Sequence, residues 1–509
     1  MSAVTGPEEI ANLIAGYLSV NAESVVVEDS RTLFDFASAH YSVAPERERC
    51  LLQIWSEERN IVRRAVAAEV KNGILKLSVM RFGQAKPARL EICPKTQRRS
   101  ASSLRAVRAT YQRALERALE HVFPGWIIER LTTTSDLEHS FSAVYARALL
   151  RRGQQRIAVV GCGAEELQST IDNAVAVAVL WLDYCRENLS GKGHVGTATL
   201  FVPEGRALTA QLRLSHLNRE AANWQLFALD EHSGDVAELD LATELNLSTH
   251  LVHCFRREQV LERFAGAVAR MNALCPQAQP VAVSTSAISF RFHGLEFARA
   301  TFEAGAHFRM VERIVFGAAP AEYELTEETE PLLRQLIELL RQKRGGRDHT
   351  HPFYRLQPER WLQSIVERDL SLLDAQLDPA MFYPQVPAFA AADRAVIDLL
   401  GILRDGRLAV IELKAAEDFH LPIQGLDYWA RVRWLLRRGE FAASGYFPGR
   451  ELSERDPVLI LAAPALHLHT TTATMLRYLS PEVEWRLYGV DERWRDGVRV
   501  VFRKQSGAL

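Results

Sequence analysis

The chain has 509 residues, of which 48% are hydrophobic and 24% charged, with a net charge of −2. These values are typical of a soluble protein of several domains, and the balanced charge argues against a protein that coats nucleic acid without specificity. The longest apolar run, 173–182, is too short to span a bilayer. The N-terminus does not resemble a signal peptide, and the six cysteines are scattered. We therefore expect a cytoplasmic protein with reduced thiols and no membrane contact.

The first 240 residues are predicted to form two units. Residues 1–100 combine a short helix with a hairpin-like region, 61–80, that turns at Asn72-Gly73, and we interpret them as a small α+β module. Residues 101–240 are predicted to contain a helix, two strands and a second helix, at 104–121, 141–151, 156–162 and 170–186. This order of elements is typical of an α/β unit.

Residues 241–345 are predicted to form a third, α+β or helical, module. Its expected elements are a helix around His250–Leu274, strands within Val281–Phe302 that turn at His293-Gly294, and a helix at Pro331–Lys343. The segment 341–352 is polar, charged and contains glycine. We interpret this segment as a linker into the last unit, residues 346–509.

Two apolar runs in the last unit contain charged residues. The runs Val396–Leu403 and Leu408–Leu413 are apolar on both faces, which is typical of central strands of a covered sheet. Asp398 lies in the first run, Glu412 lies in the second, and Lys414 follows it directly. Burying a charge costs several kcal/mol unless it is paired or binds a metal, so this placement indicates a functional site.

The turn between the two strands decides whether these charges meet. A two-residue Asp-Gly turn would set Asp398 against Leu413, with the charges on opposite faces of the sheet. A three-residue loop, 404–406, with Gly406 in a left-handed bulge, would instead set Asp398 opposite Glu412, with both beside Lys414. We predict the bulged register, because a slip by one residue would scatter the charges.

This cluster of charges favours metal-assisted chemistry. Two carboxylates a few ångströms apart repel each other, and one takes up a proton unless a cation lies between them. Hard oxygen ligands suit Mg²⁺ or Mn²⁺ with several waters retained. Lys414 adds a positive charge where a water is deprotonated or a phosphate is held. The natural reaction for such a site is hydrolysis of a phosphodiester bond, with Asp398 and Glu412 as metal ligands.

The order Asp398, Glu412-x-Lys414, Gln424-x-x-x-Tyr428 resembles the PD-(D/E)XK nuclease superfamily, most closely its RecB-like and NucS-like branches. The resemblance covers roughly residues 350–505. It implies a restriction-endonuclease-like αβββαβ core within an α/β fold, and a nuclease that acts on DNA more readily than on RNA. The proline of the family name is absent from this chain, at a position that varies in the family.

The resemblance also implies roles for further residues. The first helix of the core often supplies another acid, and 358–365 is predicted to be that helix, with a proline in its first turn. Glu359 is our first choice for this acid, as a third metal ligand, and Glu367 is the second choice. Gln424 and Tyr428, on the helix after the strands, are expected to shape the catalytic site.

The chain contains an internal repeat. Residues 156–166 align without a gap with 407–417, and 214–220 and 224–231 align with 476–482 and 485–492. The candidate site does not survive in the first copy, where Gly161 and Gly163 replace Glu412 and Lys414, Asn173 replaces Gln424, and Ala146 or Arg147 replaces Asp398. We therefore predict a degenerate nuclease-like module at 101–240 that cannot bind metal.

One basic stretch lies close to the candidate site. Arg431, Arg433, Arg437 and Arg438 follow Tyr428 with no acid between them. They could hold a phosphate backbone, although cations at a helix C-terminus are also favourable for structural reasons. Two competing interpretations remain for the whole chain. The first is an inactive nucleic-acid-binding or scaffold protein on a nuclease fold, and the second is an enzyme of another hydrolytic type.

Overall fold

The computed structural model describes the whole chain except residues 1–3, 5, 22, 29–30, 37–38, 47–48, 57–59, 72, 81–87, 95–100, 137, 190, 192, 243–246, 248–249, 305–309, 319–320, 347–348, 390–393 and 508–509. The fold is mixed α/β with four sheets, each built from one continuous stretch of chain. In the described parts of the chain, no helix has both the length and the apolar character that crossing a membrane requires.

The first stretch forms a seven-stranded antiparallel sheet covered by one helix. Its elements are α1 (Pro7–Val20), β1 (Ser24–Glu28), β2 (Arg31–Asp35), β3 (His40–Glu46), β4 (Arg49–Trp55), β5 (Asn60–Lys71), β6 (Ile74–Met80) and β7 (Ala88–Pro94). The predicted hairpin at 61–80 is confirmed as β5 and β6, with Gly73 at φ +74°. Asn72 lies outside the described residues. The other five strands were not predicted.

The second stretch forms a six-stranded mixed sheet in the order β13-β12-β11-β10-β9-β8. Its elements are α2 (Ala101–Val122), β8 (Ile127–Thr132), β9 (Ala146–Arg152), β10 (Gln155–Gly161), α3 (Gln168–Asp172), α4 (Ala174–Tyr184), β11 (His194–Pro203), α5 (Leu208–Ser215), β12 (Asn223–Leu229) and β13 (Val236–Leu239). The predicted helix at 104–121 and strand at 156–162 are confirmed, whereas the strand predicted at 141–151 begins only at Ala146 and the helix predicted at 170–186 is divided into α3 and α4. Helix α4 is apolar all round and fully buried up to Leu182, which explains its almost uninterrupted run of apolar residues.

The third stretch forms a five-stranded antiparallel sheet with three helices. Its elements are α6 (Arg257–Arg263), α7 (Ala265–Leu274), β14 (Gln279–Ser284), β15 (Ala287–Phe292), β16 (Leu295–Ala304), β17 (Met310–Ala318), β18 (Ala321–Glu324) and α8 (Glu330–Lys343). The predicted helix from His250 was wrong in its first turns. The Cys254 amide there donates to the carbonyl of Ser444, 2.8 Å away, so this segment is not helical.

The fourth stretch forms a second six-stranded mixed sheet, in the order β19-β20-β21-β22-β23-β24. Its elements are α9 (Pro352–Arg355), α10 (Pro358–Val366), β19 (Leu377–Phe389), β20 (Arg394–Leu403), β21 (Leu408–Leu413), α11 (Leu421–Arg437), α12 (Glu440–Ala443), β22 (Val458–Pro464), α13 (Thr472–Arg477), β23 (Trp485–Val490) and β24 (Val500–Gln505). Both predicted apolar strands are confirmed as β20 and β21. All six residues of β21 are buried, as expected for a central strand.

The two six-stranded sheets have the same pattern of neighbours. In each sheet the first three strands along the chain are antiparallel, the third, fourth and fifth are parallel, and the last is antiparallel. Helix α2 precedes one sheet, α9 and α10 precede the other, and further helices cross between the parallel strands, as parallel connections require. The pairing of Gly161 with Ala146 across β10 and β9 shows that Ala146, rather than Arg147, stands at the position of Asp398.

The segment predicted to be a polar linker is in part buried structure. Helix α8 continues to Lys343, and the guanidinium of Arg344 is fully buried. It donates hydrogen bonds of 2.6–3.1 Å to the carbonyls of Phe292, His293, Phe353 and Leu356. Arg344 thereby joins the β15–β16 turn of the third sheet to the start of the fourth stretch.

Candidate active site

The turn between β20 and β21 sets the register that brings the charges together. The amide of Leu403 donates to the carbonyl of Arg407 at 2.7 Å, and Gly406 is left-handed at φ +85°. Leu399 pairs with Ile411, so the same register places Asp398 opposite Glu412. The predicted bulged register is therefore confirmed, and the two-residue turn is excluded.

Asp398, Glu412 and Lys414 form one polar cluster at the end of these strands. Asp398 accepts a hydrogen bond of 3.1 Å from the amide of Leu413. The Lys414 ammonium nitrogen lies 3.5 Å from Glu412 Oε1 and 3.6 Å from Asp418 Oδ2. Glu412 is only 2% exposed, and its Oε2 has no hydrogen-bond partner in the described structure. A buried carboxylate oxygen without a partner is costly and calls for an explanation.

The electrostatics of the cluster agree with its geometry. Burial and then the charge of Asp398 raise the pKa of Glu412 well above its usual range. Burial also raises the pKa of Asp398, although the Leu413 amide and Lys414 oppose the shift. Burial alone would lower the pKa of Lys414, but Glu412, Asp418 and Asp398 outweigh it and raise that pKa. The cluster thus keeps its lysine charged and holds two carboxylates that repel each other.

Helix α10 brings Glu359 toward this cluster. Glu359 Oε1 lies 3.4 Å from the amide of Ala415, which donates to it, and its charge acts on both Asp398 and Lys414. Glu367, which follows the same helix, instead accepts a hydrogen bond of 2.7 Å from Gln363. Burial raises the pKa of Glu367, and the charges of Arg291, Arg257 and Arg360 oppose that shift. These surroundings favour Glu359 over Glu367 as the acid from the first helix.

Gln424 and Tyr428 lie beside each other on α11. Gln424 Nε2 donates to the hydroxyl of Tyr428 at 3.2 Å. Tyr428 is buried, and burial together with the nearby charges of Glu412 and Asp398 raises its pKa well above the usual range. The tyrosine is therefore a neutral hydroxyl that faces the two carboxylates, at the spacing of one helical turn from Gln424.

Two glutamines that sequence reasoning missed also contact Asp398. Gln385 lies opposite Asp398 in the β19–β20 register, and its Nε2 is 3.4 Å from Asp398 Oδ1 and 2.8 Å from Gln363 Oε1. Gln363 Nε2 in turn donates to the carbonyl of Asp398 at 3.2 Å. No sequence signal indicated Gln385, since it lies between Pro384 and Val386-Pro387, a pattern that disfavours a strand interior.

Three of the four arginines near the end of α11 form ion pairs within the protein. Arg433 is bound to Asp456 and Glu482 at 3.0 and 3.1 Å, Arg437 also reaches Asp456, and Arg438 pairs with Glu440. Arg431 has an interaction partner as well. These ion pairs give the arginines a structural role, and their predicted contact with a phosphate backbone stays a prediction.

The matching position in the second stretch is filled by an aromatic ring. A Cβ atom on Gly161 would lie 2.3 Å from the hydroxyl of Tyr111, on α2, and one on Gly163 would lie 3.2 Å from Glu231 Oε1. Tyr111 is buried, and its hydroxyl has no hydrogen-bond partner among the described residues. The counterpart of the cluster therefore lacks the charges and also lacks the space for them.

Asp398 and Glu412 are the pair best placed to hold a divalent cation. Among the described residues, no group of three or more His, Cys, Asp and Glu side chains converges on one point. A cation here would thus be held by two carboxylates, with water completing its shell, which suits Mg²⁺ or Mn²⁺. The unpartnered Oε2 of Glu412 and the mutual repulsion of the two acids fit such an ion.

Comparison with known proteins adds little to this site. No family model and no curated protein matches the chain. Among solved structures, an EndoMS–dsDNA2 complex is similar at 11% identity, covering 45% of this chain and 96% of that chain, with a TM-score of 0.17. A repair endonuclease from Pyrococcus abyssi is similar at 10% identity, covering 45% and 99%, with a TM-score of 0.15. These scores are too low to carry the fold or activity of either protein over to this chain.

Proposed function

We propose that the protein is a divalent-metal-dependent nuclease that hydrolyses phosphodiester bonds of DNA. The observation that carries this proposal is the Oε2 of Glu412, which is buried without a partner in a cluster with Asp398 and Lys414. A central strand of a sheet gains nothing in stability from such an atom. A metal ion held by Glu412 and Asp398 would give the atom its partner and relieve the repulsion.

The proposed roles follow from the position of each side chain. Asp398 and Glu412 would hold Mg²⁺ or Mn²⁺, and Glu359 on α10 is the third acid that we propose for the site. When bound, such an ion supplies Lewis-acid stabilisation of the charge that develops on the phosphate. Lys414, which stays protonated, stabilises the same charge and orients the attacking water. Gln424 and the Tyr428 hydroxyl line the site on the α11 side.

We also propose a division into four domains, 1–100, 101–240, 241–345 and 346–509, with an αβββαβ core in the second and the fourth. The shared order and direction of strands in the two six-stranded sheets support an internal duplication. The aligned segments 156–166 and 407–417 both cover the third strand of their sheet. By this proposal, 346–509 is the catalytic copy and 101–240 is the degenerate copy.

A second candidate is an inactive nucleic-acid-binding or scaffold protein on the same fold. The ion pairs of Lys414 with Glu412 and Asp418 favour it, because they neutralise part of the cluster without a metal. This reading leaves the Oε2 of Glu412 unexplained. We therefore prefer the nuclease.

A cleavage assay separates the two candidates. We expect the full chain to cut labelled single-stranded, duplex or branched DNA with Mg²⁺ or Mn²⁺, and to stop when the metal is chelated. Glu412→Gln and Lys414→Ala should each lower the rate by about 100-fold or more while DNA binding is kept. Calorimetry should show that Glu412→Gln also loses Mn²⁺ binding.

Glu417→Gln is the matched control for these variants. Glu417 lies in the same loop but is 58% exposed, and its ion-pair distance to His469 is 3.9 Å, close to the limit for such a contact. Its cleavage rate should equal that of the wild type. If the wild type binds DNA but cuts none of these substrates with either metal, the scaffold interpretation holds instead.

A further inference from the structure

The two six-stranded units meet through equivalent residues. Leu217 and Leu479, which occupy matching positions in the aligned segments 214–220 and 476–482, form an antiparallel bridge. The amide of Asn218 donates to the carbonyl of Tyr478, and the amide of Ser480 donates to the carbonyl of His216, both at 2.8 Å. His216 matches Tyr478 and Asn218 matches Ser480 in the alignment, so each of these hydrogen bonds becomes the other when the two units are interchanged. This is the pattern of an isologous, two-fold interface, formed here within one chain.

The helices around this bridge follow the same pattern. Helix α5 contacts α11, and α13, the counterpart of α5, contacts α4, the counterpart of α11. Buried residues of both units belong to one continuous apolar core. The arrangement is therefore that of a closely packed dimer, with both halves supplied by the same polypeptide.

The two site positions lie on either side of this interface. Arg213, on α5, donates to Asp427 at 2.9 and 3.2 Å and to the carbonyl of Asp172. Asp427 precedes Tyr428 of the candidate site, and Asp172 precedes Asn173, which stands where Gln424 stands in the other unit. One buried side chain, that of Arg213, thus contacts α11 beside Tyr428 in one unit and the backbone just before α4 in the other.

We propose, on the basis of the nuclease function inferred above, that the protein cuts only one strand of duplex DNA in each binding event. A duplex bound across a two-fold interface presents one strand to each half. One strand meets Asp398 and Glu412, and the other meets Gly161, where Tyr111 fills the space. Water adds across one P–O bond of the first strand and leaves a phosphate end and a hydroxyl end, while the second strand stays intact.

A time course with supercoiled circular DNA tests this proposal. With the full chain and Mn²⁺ or Mg²⁺, nicked circles should accumulate first. Linear DNA should appear only after a lag, because it requires a second, independent incision. Linear DNA that forms without a lag, together with nicked circles, would overturn the single-strand proposal and leave the nuclease function intact. Absence of any cut, in contrast, would remove the nuclease function and this inference with it.

Two variants assign the cut to one unit. Glu412→Gln should lower the nicking rate by the same factor of about 100 or more, since no second site remains. Tyr111→Phe should leave the nicking rate unchanged, because it removes only the hydroxyl from the blocked unit and keeps the ring that fills it. Nicking by Glu412→Gln at a rate close to that of the wild type, or a loss of nicking in a folded Tyr111→Phe variant, would show that the second unit takes part in the reaction and would contradict the proposal.

Discussion

Asp398 is held from both sides by neighbouring strands. Glu412 faces it from β21, Gln385 faces it from β19, and Gln363 reaches its carbonyl from α10. Gln385 has φ +53°, a left-handed conformation that costs a residue with a Cβ atom about 1 kcal/mol or more. A strained residue in direct contact with a candidate ligand indicates that its position matters for the site.

Replacing Gln385 by alanine should slow cleavage without weakening DNA binding. The change removes the amide that contacts Asp398 Oδ1 and Gln363 Oε1, so the carboxylate loses its fixed orientation. We expect kcat to fall by about tenfold while the Kd for DNA is unchanged. Single-turnover cleavage and fluorescence-based binding measure the two quantities.

Gln385→Gly is the control for backbone effects. It removes the same side chain but accepts a positive φ without strain. The kcat for cleavage should fall by the same factor in both variants, and Gln385→Gly should be the more stable of the two. A kcat equal to that of the wild type in both would show that the Gln385 contact does not position Asp398.

The residues of the candidate site differ in how well the sequence revealed them. Asp398, Glu412 and Lys414 could be predicted because a charge within an apolar strand breaks the local pattern. Gln385 could not, since its backbone conformation depends on the strands on either side and not on its neighbours along the chain. Tyr111 was missed for a related reason. It reaches Gly161 from a helix about 50 residues upstream, and only the packed structure shows that contact.

Among the elements, the β20–β21 hairpin depends on the conformation of a single residue, Gly406. Gly406 is left-handed, and a Cβ atom there would lie 2.6 Å from the carbonyl oxygen of Glu451. Gly406→Ala should therefore lower the free energy of unfolding by more than about 2 kcal/mol, through both strain and the clash. It should also reduce cleavage, because a shifted turn separates Asp398 from Glu412. Urea unfolding and the DNA cleavage assay measure these effects.

Gly439→Ala separates strain from the clash. Gly439 has φ +68°, and a Cβ atom there would meet no other atom within 4 Å. Its substitution should cost only the left-handed strain, about 1 kcal/mol, and leave cleavage unchanged. Equal losses of stability in the two variants would mean that the contact with Glu451 does not constrain the turn.

The elements were predicted most reliably where strong local signals occur. Gly73, Gly294 and Gly406 all mark tight turns, and the strands around them were recognised. The first sheet was largely missed, because strands such as β3 and β4 contain proline or charged residues and show weak alternation. The segment before α6 was predicted as helix from composition, whereas its hydrogen bond to Ser444 is a long-range contact that no local pattern encodes.

At the scale of the whole molecule, the pair of Arg213 and Asp427 ties the two six-stranded units together. Both side chains are largely buried, at 8% and 13% exposure. Asp427→Ala should lower the free energy of unfolding by about 3 kcal/mol, because it leaves a buried guanidinium without its carboxylate. Thermal or urea unfolding of the full chain measures this loss.

Arg477→Ala provides the comparison, since Arg477 pairs with Asp183 across the same interface but is 52% exposed. An exposed ion pair contributes less than about 1 kcal/mol, so this variant should unfold nearly as the wild type does. If Asp427→Ala lowers the free energy of unfolding as little as Arg477→Ala does, the buried pair does not hold the units together.

The bridge of Leu217 with Leu479 has a consequence for how this protein can vary. In a homodimer one gene encodes both halves, so every mutation appears twice. Here the symmetric positions are encoded separately, and their surroundings differ: His216 packs against Trp429, whereas Tyr478 packs against Trp224 and donates a hydrogen bond to Asp183. Selection on one half therefore need not alter the other, and a mutational scan should find different tolerated residues at paired positions.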